Sequence, residues 1–65
     1  MSSKEIISKK IKEKRLKLAL TQKQIADKLN VSRTSIADWE SGRYLPCVII
    51  FIRLMKLLKI KVKDL

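Results

Sequence analysis

Residues 21–42, TQKQIADKLNVSRTSIADWESG, hold two helix starts and two helix stops in quick succession. Thr21 followed by Gln24 is a capping box, in which each side chain satisfies the other residue's main-chain N–H. Ser32 offers a second N-terminal cap. Asn30 tolerates the left-handed conformation that ends helices, and Gly42 adopts it freely. Between these signals, Ile25, Ala26 and Leu29 form one buried stripe and Ile36 and Trp39 another, with Val31 at the corner. The small Ala26 lets the two helices approach closely. The spacing predicts helices over about 22–29 and 33–41, joined by a three- or four-residue turn.

The flanking residues also read as helix. Ser2 and Glu5 suit a capping box, and Ile7, Ile11 and Leu18 recur at helical spacing, with Leu16 beside them. This predicts a first helix over about 4–18, with Ala19 and Leu20 as a short connection. Pro46 suits the first turn of a fourth helix reaching about Leu58, because its missing N–H costs nothing there. Residues 62–65 resemble the start of a fifth. No run alternates well enough for a strand. In 65 residues this amounts to one all-α domain, 1–65, whose short helices share one compact core.

Composition narrows the chemistry. Sixteen Lys and Arg against six Asp and Glu give a net charge of +10, while 46% hydrophobic residues are too many for a disordered basic tail. Such a surface seeks polyanions: nucleic acid first, an anionic membrane second. The charge is uneven: +5 over 1–17, +1 over 18–45 and +4 over 46–65. With no His, one Cys, one Gly and scattered acids, the chain offers no metal site, no Gly-rich phosphate loop and no acid–base pair. No cofactor or enzymatic activity is expected. The longest apolar run, 47–52, is too short to span a membrane, and no signal peptide is visible. The expected location is the cytoplasm. Twelve Lys to four Arg, with abundant Ile, suggests an AT-rich bacterial, plasmid or phage genome.

From about Ile7 to Leu65, and above all in TQKQIADKLNVSRTSIADWESGRYLP, the sequence resembles the Cro/phage-repressor (XRE-type) helix-turn-helix family. The resemblance implies a compact five-helix, lambda-repressor-like domain that binds double-stranded DNA, usually as a homodimer on a palindromic operator, and regulates transcription, more often as a repressor. The helix over 33–41 becomes the recognition helix, with Ser32, Arg33, Thr34, Ala37 and Asp38 near base edges. Arg33 suits bidentate bonding to guanine, the competing role being a phosphate clamp. Asp38 could accept from cytosine or hold Arg33 or Thr34 in place. Gln22 falls at a family position that bonds a phosphate, where the helix N-terminus helps; Arg43 and Tyr44 fall where the family touches phosphate again. Lys14, Lys23 and Lys28 are further phosphate neighbours. Arg15 and Glu40 fall at positions that form a partly buried ion pair. Asn30 in place of the common turn Gly is a mild departure; CVIIFI at the start of helix 4 is not.

That last stretch carries more apolar surface than one core can use. Helical phase places Val48, Phe51, Leu54, Met55 and Leu58 inward, and Ile49, Ile50 and Leu57 near the charged Arg53 and Lys56. Ile50, Leu57, Ile60 and Val62 are therefore expected at a dimer or partner interface. Cys47 is expected as a small buried filler, and Trp39 as core rather than a stacking platform. Two rival functions remain: an antitoxin-like or controller subunit that mainly binds a protein partner, and a membrane-active cationic helix over 46–63.

Overall fold

The computed structural model describes residues 3–61 and 63. Its helices are α1 (Ser3–Lys17), α2 (Gln22–Leu29), α3 (Arg33–Ser41) and α4 (Val48–Leu58), and no strand occurs among the described residues. Among the described residues there are thus four α-helices, where five were expected in the chain. The expected fifth, 62–65, lies outside the described residues apart from Lys63, as do Ser2 of the first capping box and Val62 of the expected interface.

Local chemistry sets α2 and α3. Thr21 Oγ1 accepts from the Gln24 N–H at 3.0 Å, and Gln24 Oε1 accepts from the Thr21 N–H at 2.8 Å. Ser32 Oγ accepts from the Ser35 N–H at 3.2 Å. All four helices then stop in one way. A residue with positive φ (Ala19, Asn30, Gly42 and Lys59) donates to the carbonyl three residues back. The next residue (Leu20, Val31, Arg43 and Ile60) donates five back. This paired closure is the Schellman motif.

α4 starts later than Pro46 implied. Its N-cap is Cys47, which makes no side-chain capping bond and is exposed rather than a buried filler. Pro46 instead lies beside Ile7, Leu45 and Phe51, where α1 and α4 come together.

One core draws on every helix. Ile11 comes from α1; Ile25, Ala26 and Leu29 from α2; Ile36 and Trp39 from α3; Leu54 and Leu58 from α4; and Ile60 from just beyond it. α2 and α3 pack together most extensively, α1 lies against α3, and α4 packs against α1 and α2. Ser8 is also buried, its hydroxyl donating to the Lys4 carbonyl at 2.8 Å. A Cβ on Gly42 would stand 3.5 Å from that hydroxyl oxygen. The stop of α3 thus rests on a small residue of α1.

The phase of α4 differs from the sequence reading. Val48, expected inward, is 74% exposed, whereas Ile50 and Leu57 pack half-buried against the core. Ile60, expected at an interface, is only 6% exposed and belongs to the core. The exposed apolar residues of α4 are Val48, Ile49 and Ile52.

Candidate nucleic-acid interface

The first turn of α3 faces solvent. Ser32, Arg33 and Thr34 are exposed, and Ala37 and Asp38, one turn on, are partly so. Helical spacing aligns 33 and 34 with 37 and 38, so the four share the outward side while Ile36 and Trp39 enter the core. The Ser32 hydroxyl is engaged locally, since it caps Ser35 and also lies 3.0 Å from the Ser35 hydroxyl.

A polar chain runs from this surface into the protein. Arg33 Nη1 donates to Gln22 Oε1 at 3.5 Å. Gln22 Nε2 donates to Glu40 Oε1 at 3.2 Å. Glu40 also accepts from Arg15, at Oε2 from Nε (2.6 Å) and at Oε1 from Nη2 (3.1 Å). Arg15 Nη1 completes the chain on the Leu20 carbonyl at 2.8 Å. The two-pronged geometry matches the flat guanidinium to the flat carboxylate, the strongest form of this pair. Both side chains are largely withdrawn from water. The pair therefore ties α1 to α3, and Arg15 also anchors the residue that follows the stop of α1.

Gln22 uses its amide oxygen and one of its two amide N–H groups within the protein; the other N–H stands beside the first-turn main-chain N–H groups of α2, which have no intrahelical acceptor and carry partial positive charge. Arg33 is steadied by Gln22 rather than by Asp38, whose side chain has no partner among the described residues; the Asp38 carbonyl accepts from the Arg43 and Tyr44 N–H groups. Sequence reasoning missed the Gln22–Glu40 contact because the two residues stand 18 apart on different helices, and no local pattern links them.

The neighbouring elements carry cations. Lys23 and Lys28 of α2 are exposed, and Lys14 of α1 is half-buried. Arg43 and Tyr44, both exposed, follow Gly42, with the Arg43 guanidinium 5.5 Å from the centre of the Tyr44 ring. α3 itself contributes one positive and two negative side chains, and Glu40 is neutralised by Arg15. A face of this kind suits directional hydrogen bonding at its centre and phosphate attraction at its edges.

The helix-turn-helix family model matches residues 11–65 of this chain. The chain is also similar to a protein of Methanothermobacter thermautotrophicus (strain Delta H) described as an uncharacterized HTH-type transcriptional regulator. The two are 40% identical over 48 residues, which span 74% of this chain and 70% of the relative. No solved structure matches the chain at a significant level. No helix among the described residues is long and apolar enough to cross a membrane.

Proposed function

The chain belongs to the Cro/C1-type helix-turn-helix family, and from that footing we propose that it is a sequence-specific, double-stranded-DNA-binding regulator of transcription. It acts by binding rather than by catalysis. The observation that carries this reading is the exposed first turn of α3, braced by the start of α2 through Arg33 and Gln22. α3 enters the major groove, Arg33 and Thr34 reach base edges, and Ala37 and Asp38 border them. Arg33 takes a guanine through its O6 and N7. Gln22 and the main-chain N–H groups at the start of α2 meet a phosphate, together with Lys23, Arg43 and Tyr44. Lys14 and Lys28 add attraction that is sensitive to salt and blind to sequence.

Two copies occupy half-sites about one helical turn, roughly 34 Å, apart. Repression follows from occupying a promoter. The test is selection of bound duplexes from a random DNA pool, with the intact chain and with Arg33→Ala. The intact chain is expected to enrich a paired motif. Arg33→Ala is expected to lose preference at one base pair of each half-site, a discrimination of about 1–3 kcal/mol, while keeping most of its non-specific affinity. An equal loss on every sequence would reduce Arg33 to a phosphate contact.

A further inference from the structure

The outer side of α4 is unlike the rest of the surface. Val48, Ile52 and Met55 recur at helical spacing, and the stripe runs on to Lys59, which ends the helix. Ile49, 66% exposed, widens the apolar end. The other end opens into a groove of about 380 Å³, floored by Ile52, Met55 and Ile60 and edged by Lys56, Lys59 and Lys61. Residues 46–61 contain no acid, and neither Lys56 nor Lys59 has an ion-pair partner among the described residues.

We propose that this face of α4 and its groove form a docking site for an acidic amphipathic helix of another protein. The charge argues for such an occupant. A two-fold contact between copies of this chain sets α4 against α4, and residues 46–61 carry lysines and no acid to offer the groove. A second copy can cover Val48 and Ile49 but does not supply carboxylates from its own α4. Shape argues against a small ligand: the groove is open along its side and continues into exposed apolar residues, so a small amphiphile would leave Val48 and Ile49 bare. A helix of about three turns matches the length from Val48 to Lys59. It would lay apolar residues on Val48, Ile49 and Ile52, and carboxylates on Lys56 and Lys59.

The proposal goes beyond DNA recognition and is tested without DNA. The full chain is used to select from a displayed library of randomised helix-forming peptides. Enriched peptides are expected to carry apolar residues at helical spacing toward one end and Glu or Asp toward the other. Their affinity is expected to fall at least about tenfold in the Lys56→Glu/Lys59→Glu double variant, and a peptide with its acids changed to Lys should regain it. Ile52→Asp should abolish binding of both peptides. A cooperative thermal transition in each variant confirms that the fold is intact. Enrichment of uncharged peptides, or affinity unchanged in the charge-reversed variant, would overturn the proposal. It would also fall if sedimentation gave a dimer of the chain that Ile52→Asp dissociates and no peptide displaces. Dodecanoate binding in the groove with no peptide enriched would assign the site to a small amphiphile instead.

Discussion

The inner helices, α2 and α3, and the outer helices, α1 and α4, end in the same geometry but with different residues. In the inner pair the left-handed position is held by Asn30 and Gly42, the two residue types best suited to it. In the outer pair it is held by Ala19 and Lys59, which carry the steric cost that Gly avoids. The starts differ likewise. Thr21 and Ser32 cap with their side chains, whereas Cys47 does not. The inner pair thus carries side-chain caps and residue types suited to its stops, which the described ends of the outer pair lack. Arg15 and Glu40 join the two systems.

Breaking that joint should have the largest effect. Glu40→Ala leaves the Arg15 guanidinium buried without a carboxylate and is expected to cost roughly 3–5 kcal/mol. In a domain this small that is comparable with the whole stability, so the thermal transition should fall steeply or vanish. Replacing both partners, Arg15→Met with Glu40→Leu, should recover much of the loss, since well-packed apolar pairs often substitute for buried ion pairs. Equal losses in the single and double variants would show that an orphaned charge is not the cause. A smaller effect, of opposite sign, is expected at an outer stop. Ala19→Gly should stabilise by up to about 1 kcal/mol, because relief of the left-handed strain outweighs the added freedom of the unfolded chain. Asn30→Gly, at an inner stop, should change stability by less, and equal gains in denaturant titrations would erase the distinction drawn here. The smallest effect belongs to the bare end of α4. Ile49→Ser should stay within about 0.5 kcal/mol in the same titrations, as at other surface sites; a larger loss would mean that Ile49 is packed.

The same division explains what was legible in the sequence. The bounds of α2 and α3 and their buried residues could be read because their signals are local: a capping box, an N-cap and residues suited to the left-handed stops. Ala19 and Lys59 gave no such signal, since neither residue type favours the conformation it adopts. The phase of α4 was misjudged because a helical wheel needs contrast between apolar and polar positions, and residues 47–52 offer none. Val48 faces outward instead, and Ile50 and Leu57 lie toward the core. Ile60 was misplaced for a related reason: it follows the left-handed Lys59, and its main chain folds back onto the Met55 carbonyl rather than continuing the helical face. At the candidate interface, the residues at the start of α3 came from the resemblance to the helix-turn-helix family, while helical spacing turned only Ile36 and Trp39 inward. The engagement of Gln22 with Glu40 came from neither, because it depends on how two separate helices cross.

The four shared stops also bear on how quickly the fold is found. Each is closed by main-chain bonds that reach three and five residues back, so each can form before any distant part of the chain arrives. Small helical domains dominated by such near-neighbour contacts fold in roughly microseconds to milliseconds. What cannot be arranged locally is the meeting of Arg15 with Glu40, 25 residues further along. That contact acts as a latch: it closes only where α1 meets α3 in the register that pairs guanidinium with carboxylate.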